Sequence, residues 1–408
     1  MNITKVNSLI LATTALLLAI ALISFPQASF EASQRGLQIW WGVVFPSLLP
    51  FFIISELLIG FGVVRFIGFL LEPLMRPLFK VPGVGGFVWA MGMASGYPAG
   101  AKFTARLRQE NQLTAIEAER LVSFTNSSNP LFIFGAVAIG FFQNASLGII
   151  LAISHYLGNI CVGLIMRFHG KENVISKPSI NRRKRIIHEA LRSAHESRLQ
   201  DNRPLGKLLG DAITSSVHTL LMIGGFIILF SVLNKLLSIV HITAVVAYLL
   251  EYVLAVFDLP EELGIPLFSG LFEITLGSQL TSETPNISLI YQAVITSFIL
   301  AFSGLSVQAQ VASILAETDI RFRPFFVARI FHGFFAALFA YILWKPLYIN
   351  TIVKPEHGPN VIPSFSLNTN FSMFYDFLHI MWTYGPIITL TTLCCYVLLY
   401  IKKIRLFS

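Results

Sequence analysis

The sequence predicts an all-α polytopic membrane protein, an inverted-topology repeat with two re-entrant hairpins and two broken transmembrane helices. Three observations carry this. The 408 residues are 55% hydrophobic and only 12% charged, with mean hydropathy +0.71, whereas a soluble domain carries about 25% charge. The cations gather between apolar stretches rather than inside them. Two short, glycine-broken apolar segments each precede a long helix interrupted by polar residues, in the same order in both halves.

Residues 8–25 form the first apolar stretch, between Lys5 and Pro26. A signal peptide would look similar, but FPQASF is a weak cleavage site, so the segment reads as an uncleaved helix running outward. Residues 38–61 return through Pro46 and Pro50, and Arg65, Arg76 and Lys80 flank an amphipathic stretch suited to the inner interface. Residues 83–100, GVGGFVWAMGMASGYPAG, cannot cross twice and are followed at once by Lys102, Arg106 and Arg108. Both ends therefore lie inside, which describes a hairpin.

Thr114 and Glu117 make a T-x-x-E capping box, and the helix it starts is interrupted by TNSSNP, residues 125–130, before resuming as LFIFGAVAIGFF. Irregular backbone at that depth is tolerated only where it is buried in protein or lines a cavity. Residues 146–168 close the half with a regular span. Residues 169–208 then carry ten Lys or Arg against four acids, including Arg182, Arg183, Lys184 and Arg185. Basic loops stay in the cytoplasm. No surrounding domain presents an element to a nucleic-acid groove, so nucleic acid is not an expected partner.

The second half repeats this order in the opposite direction. Residues 209–234 cross outward, and residues 235–263, with Glu251, Asp258, Glu261 and Glu262, suit an external interface. GIPLFSGLFEITLGSQL, residues 264–280, is a second hairpin. Residues 286–318 form a long helix interrupted at SGLSVQ, residues 303–308, with Arg321 and Arg323 at its inner end. Residues 325–344 cross outward and residues 379–401 return to Lys402, Lys403 and Arg405. On this path every Lys and Arg except Arg35, Lys235, Lys345 and Lys354 lies on the inner side.

The expected location is therefore the cell membrane, multi-pass, with both termini cytoplasmic. The expected divisions are an N-terminal helix and link (1–37), a first repeat (38–168), the basic cytoplasmic loop (169–208), a second, inverted repeat (209–345), and an external loop with a C-terminal helix (346–408). Alignment sets Ser123-Phe124 over Ser297-Phe298, Asn129-Pro130 over Ser303-Gly304, and Gly92 over Gly270. Secondary transporters use such inverted repeats, with discontinuous helices meeting at the midplane. Packing alone would also explain Gly92, Gly96 and Gly100, which form small-xxx-small spacings. It explains less well why polar clusters recur at one depth in both halves.

Glu273, apolar on both sides in GLFEITLG, is the most informative residue. A carboxylate there costs several kcal/mol unless paired, protonated or facing water, which suits proton or cation coupling; a structural hydrogen bond to the opposing broken helix is the alternative. Thr275 could add a hydroxyl. The first hairpin offers Ser95 and Tyr97, with Lys102 expected to snorkel to the interface. The first break offers Asn126, Ser127, Ser128 and Asn129, suited to a polar neutral solute or a dehydrated cation. Their counterparts are Ser303, Ser306 and Gln308, with Gln310 a further candidate. Glu56, Asp211 and His218 are lesser ones.

No metal site, cofactor or catalytic residue is expected. Cys161 and the adjacent Cys394 and Cys395 sit in apolar runs and make no CxxC pair. HExxH, GxSxG and Walker A signatures are missing, and a Ser128–Lys102 dyad has no support in spacing.

SGYPAGAK, TAIEAERLVSFTNSSNPLFIFGAVAIGF, GLFEITLG and SFILAFSGLSVQAQV together resemble the YlbJ-like sporulation integral membrane proteins, which carry the nucleoside-recognition or Gate domain. The resemblance covers about residues 40–345. It implies a plasma-membrane protein of a spore-forming bacterium needed for a spore layer such as the cortex, on a domain shared with nucleoside and ferrous-iron transporters. Two positions depart from the family pattern, Leu276 after the Thr of the acidic motif and SSNP at 127–130, so no particular ligand is carried over to Asn129 or Thr275.

The expected function is secondary transport or export of a small polar solute, nucleoside-like or a spore-envelope precursor, coupled to a proton or cation, in a chain that is free to self-associate. The alternative is a non-transporting scaffold or signalling protein for spore-envelope assembly.

Overall fold

The computed structural model describes residues 3–170, 186–201, 203–350 and 391. The expected C-terminal helix at 379–401 and the run Arg182–Arg185 lie outside them. The described residues are helical with turns and no strands. Among the described residues four helices are long and apolar enough to cross a bilayer, and two bent pairs raise the count to six.

Helix α1 (Ile3–Ser24) meets α2 (Pro26–Ile39) at a bend of 102°, where Pro26 starts the new helix because its missing N–H would be unpaired there anyway. A π-helical turn, Trp40–Val44, leads into α3 (Phe45–Gly60). Gly62, at φ +76°, then turns the chain by 83° into α4 (Val63–Phe79), the amphipathic segment expected beside Arg65, Arg76 and Lys80.

The first hairpin consists of α5 (Val84–Ser95) and α6 (Ala99–Gln109). At 1.5 Å per residue each arm is about 17 Å long, half a bilayer core. The capping box forms as expected: the Thr114 hydroxyl accepts the N–H of Glu117, and the Glu117 carboxylate accepts the N–H of Thr114. Helix α7 (Ala115–Thr125) ends at the first break, where Asn126 is extended and residues 126–129 leave the helix, and a π-helical segment, Leu131–Phe141, continues to α8 (Ala145–Met166). A helix within the basic loop, α9 (Ile186–Asp201), packs on α4.

The second half runs through α10 (Leu205–Ile239) and α11 (Ile242–Val256) to a second hairpin, α12 (Gly264–Phe272) and α13 (Ile274–Glu283). The second broken helix is α14 (Leu289–Phe302) and α15 (Gly304–Leu315), parted at Ser303, whose φ of +72° no helix accommodates. Helix α16 (Phe322–Leu343) follows.

The two halves are inverted, and one charged end of the bundle shows it. Arg76 of α4 pairs with Glu117 at the start of α7 (2.9 Å), and Glu119 holds both Arg321 (2.6 Å) at the start of α16 and His169 (2.6 Å) beyond α8. Arg108, closing the first hairpin, pairs with Asp319 just past α15 (2.7 Å). So α7 starts where α15 stops, and the two broken helices run in opposite directions. The first hairpin opens toward this end. The second opens toward the other, where Gln292 of α14 donates to the Thr284 carbonyl after α13 (3.1 Å).

Contacts between the halves are exchanged in the same sense. Helix α6 packs on its own α7 and on α15 of the other half; α13 packs on its own α14 and on the π-helical segment of the first half. The hairpin arms approach closely because glycine faces the partner: a Cβ on Gly100 would meet the Asn126 nitrogen at 2.7 Å, and one on Gly304 would sit 3.1 Å from the Gly270 carbonyl.

Candidate functional site

All four interruptions converge on one cavity of about 620 Å³. The first hairpin brings Ser95 and Tyr97 to it, the first break Ser128 and Asn129, the second hairpin Glu273 and Thr275, and the second broken helix Ser306 and Gln310. Val44, Leu48, Ile223 and Ile227 complete an apolar wall.

Local sequence explains each placement. Gly96, at φ +88°, ends α5 and turns the chain so that Ser95 and Tyr97 meet at the hairpin tip. Asn129 donates to the Ser95 carbonyl (2.8 Å) and accepts the N–H of Phe132 (2.7 Å), which starts the next helical segment. Glu273 stands alone between α12 and α13 in extended conformation, and its Oε2 accepts the N–H of Leu276 at 2.7 Å, capping α13. An anionic side chain at a helix N-terminus is favoured by the dipole and by the free N–H groups. Its partner is thus its own helix, not the opposing broken helix. Ser306 and Gln310 are four residues apart and share one face of α15.

The hydroxyls of Ser95, Ser128 and Ser306 are buried without a partner among the described residues. Buried polar groups left unpaired cost about 1–3 kcal/mol each, so three around one cavity are suited to a hydrogen-bonding occupant.

Four expected residues lie elsewhere. Asn126 and Ser127 are buried in the break but do not line the cavity. Gln308, just over half a turn from Ser306, points back and donates to the Phe302 carbonyl (3.1 Å), and Ser303 makes the turn itself. Lys102 does not snorkel: it is buried, 3.4 Å from Glu56 of α3 and above the Phe52 ring. An ammonium one turn from the hairpin tip cannot reach the interface when α3 covers it. Asp211 lies near the start of α10 and pairs with Arg203 (2.8 Å). Among the described residues no cluster suited to a metal ion occurs.

The residues that sequence reasoning passed over are Arg329, His332 and His155, all fully buried behind the first break. Tyr97 also has a role beyond the cavity, since its hydroxyl donates to the Leu300 carbonyl (2.9 Å) and ties the first hairpin to the second broken helix. An arginine inside an apolar span is a functional signal in its own right, and FFVARIFHGFF carried it.

The chain matches the Gate family, described as nucleoside recognition, over residues 41–144 and 220–320, one segment in each half. It is 59% identical over 406 residues, 98% of this chain and 97% of the other, to the sporulation integral membrane protein YlbJ of Bacillus subtilis (strain 168). A solved structure of CNTnw in an inward-facing substrate-bound state is looser in likeness, with 11% identity and a TM-score of 0.42 over 81% of this chain and 86% of that one.

Proposed function

Because the chain belongs to the YlbJ family of sporulation integral membrane proteins, built on the Gate domain, we propose that it moves a small polar solute across a membrane during sporulation. One observation supports this above the others: two hairpin tips and two helix breaks, contributed by oppositely directed halves, meet at a single cavity that holds a buried carboxylate and unpartnered hydroxyls. Helices broken for packing alone would close on one another and leave no such space.

In this proposal Ser95, Ser128, Asn129, Thr275, Ser306 and Gln310 bind the solute by hydrogen bonds. Glu273 carries the coupling proton or cation, because a carboxylate in the bilayer interior is costly unless its charge is matched when the site is filled. Rocking of one half against the other exposes the cavity alternately to each side. Both termini and the basic loop face the cytoplasm. No step calls for catalysis or a cofactor.

The test is solute flux in proteoliposomes holding the purified full chain, run across a panel of nucleosides and other small polar compounds, with Glu273→Gln and Asn129→Ala alongside. At least one solute should cross in the wild type, with flux lost in Glu273→Gln. If both variants insert normally and no solute's flux changes, transport is rejected. Complementation then asks whether deleting residues 171–185 rather than replacing Glu273 blocks spore formation, the outcome for a scaffold.

A further inference from the structure

We infer that Arg329 is a tethered cation, whose guanidinium fills the place at the end of the first half-helix where an inorganic cation would otherwise be held. Helix α7 stops at Thr125, so its last carbonyls have no helical partners and carry the negative end of the helix dipole. In inverted-repeat transporters such half-helix ends and unwound carbonyls coordinate the coupling ion. Here Arg329, reaching across from α16, donates Nη1 to the Asn126 carbonyl (2.7 Å) and Nη2 to the Ser123 carbonyl.

The surroundings keep this charge single. Arg329 only donates, so His332 Nδ1, 3.0 Å from Nη1, accepts; its proton is then on Nε2, which donates to the His155 carbonyl (2.8 Å). His155 Nε2 in turn accepts the N–H of Ser128 (3.0 Å). Both imidazoles therefore face the guanidinium as neutral groups. Among the described residues no carboxylate lies within ion-pair distance of Arg329. Its counter-charge is the carbonyl array itself.

At the second break, among the described residues, no charged side chain donates to the carbonyls directly. There the Leu300 carbonyl takes the Tyr97 hydroxyl and the Phe302 carbonyl takes the Gln308 amide, both neutral donors. The halves are thus alike in backbone and unlike in charge. An exchangeable inorganic cation has no vacancy at the first break, and ion coupling is left to Glu273, among the described residues the only carboxylate lining the cavity. The placement of Arg329 stands independently of transport; only the consequence for coupling rests on the proposed function.

The experiment reads stability, so its failure is separate from a failure of transport. Purified full chain in lipid nanodiscs is unfolded thermally in matched sodium, potassium and choline chloride, beside Arg329→Gln, Arg329→Lys and Glu273→Gln. Wild type should melt alike in the three salts, or show a sodium shift that Glu273→Gln removes. Arg329→Gln should melt lower and recover with sodium or added methylguanidinium, and Arg329→Lys should lie between and ignore sodium. A sodium-specific shift of the wild type that survives Glu273→Gln overturns the inference. So does an Arg329→Gln variant that is as stable as wild type, or one that neither ion restores. Where Arg329→Gln does not accumulate, the wild type and Glu273→Gln decide.

Discussion

Asn129 donates its side-chain amide to the backbone carbonyl of Ser95, so the break of the first broken helix and the tip of the first hairpin are joined by one hydrogen bond of 2.8 Å. The same side chain caps the segment beyond the break through Phe132. One residue thus holds two of the four elements that meet at the cavity.

Replacing Asn129 by Ala should remove both bonds and leave the Ser95 carbonyl without this partner, a loss of about 1–3 kcal/mol. Asn129→Asp keeps the acceptor for Phe132 but sets an anion against a carbonyl, and should be at least as unstable. Unfolding in a denaturing-detergent titration measures both, and equal stability of all three proteins would show that the bond contributes nothing.

The Glu56–Lys102 pair joins α3 to the first hairpin inside the bundle, 3.4 Å apart, with both side chains mostly buried. Removing one partner strands a charge in a low-dielectric interior, so Glu56→Met or Lys102→Met alone should cost about 3–5 kcal/mol. The double replacement should recover most of that loss. Detergent resistance of the two singles and the double forms a cycle in which simple additivity would rule out the pairing.

Gly100 and Gly210 are both helical, yet only one has a neighbour. A Cβ on Gly100 would lie 2.5 Å from the Thr125 carbonyl carbon, whereas nothing stands within 4 Å of the same position on Gly210. Gly100→Ala should push the hairpin off the break and destabilise by about 1–3 kcal/mol. Gly210→Ala should be neutral or stabilising by up to about 1 kcal/mol, the helix propensity gain. Melting temperatures that move together in both variants would contradict the packing described.

Asp319, in the turn after α15, is held below its ordinary range by the hydrogen bond and charge of Arg108. A lowered folded value means the pair stabilises the fold above the usual aspartate pKa of about 3.9 and loses that effect as pH falls through the lowered value. Asp319 is more than half exposed, so the effect is at most about 1 kcal/mol. Wild type and Asp319→Asn should differ in melting temperature near neutral pH and converge in acid; parallel curves would show the pair to be idle.

Much of the fold was legible because glycine, proline and short polar runs punctuate otherwise unbroken apolar sequence. Hairpins and breaks therefore announced themselves at SGYPAG, TNSSNP, GLFEITLG and SGLSVQ. Which side of each break faces the cavity was not legible. Ser306 and Gln310 share a helix face that excludes Gln308, but only the packing of α15 on α6 decides which face looks inward. Arg329 escaped because hydropathy averaged over FFVARIFHGFF submerges a single charge, and its carbonyl partners lie some two hundred residues earlier in the chain. Lys102 was misjudged because depth along a hairpin arm depends on the helix that covers it.

The exchange of contacts between α6 and α15, and between α13 and the π-helical segment, has a bearing on ancestry. Each half completes the other by the same pairing read in reverse, as two copies of one half-length chain would do if they entered the bilayer in opposite directions and dimerised. Fusing such a pair requires the inserted link to return the chain to its starting side, and an even number of crossings or a retained basic loop accomplishes this. In a fused pair the copies can diverge, and a guanidinium donating to the carbonyls of one break, with neutral donors at the other, is a difference that two identical subunits cannot carry.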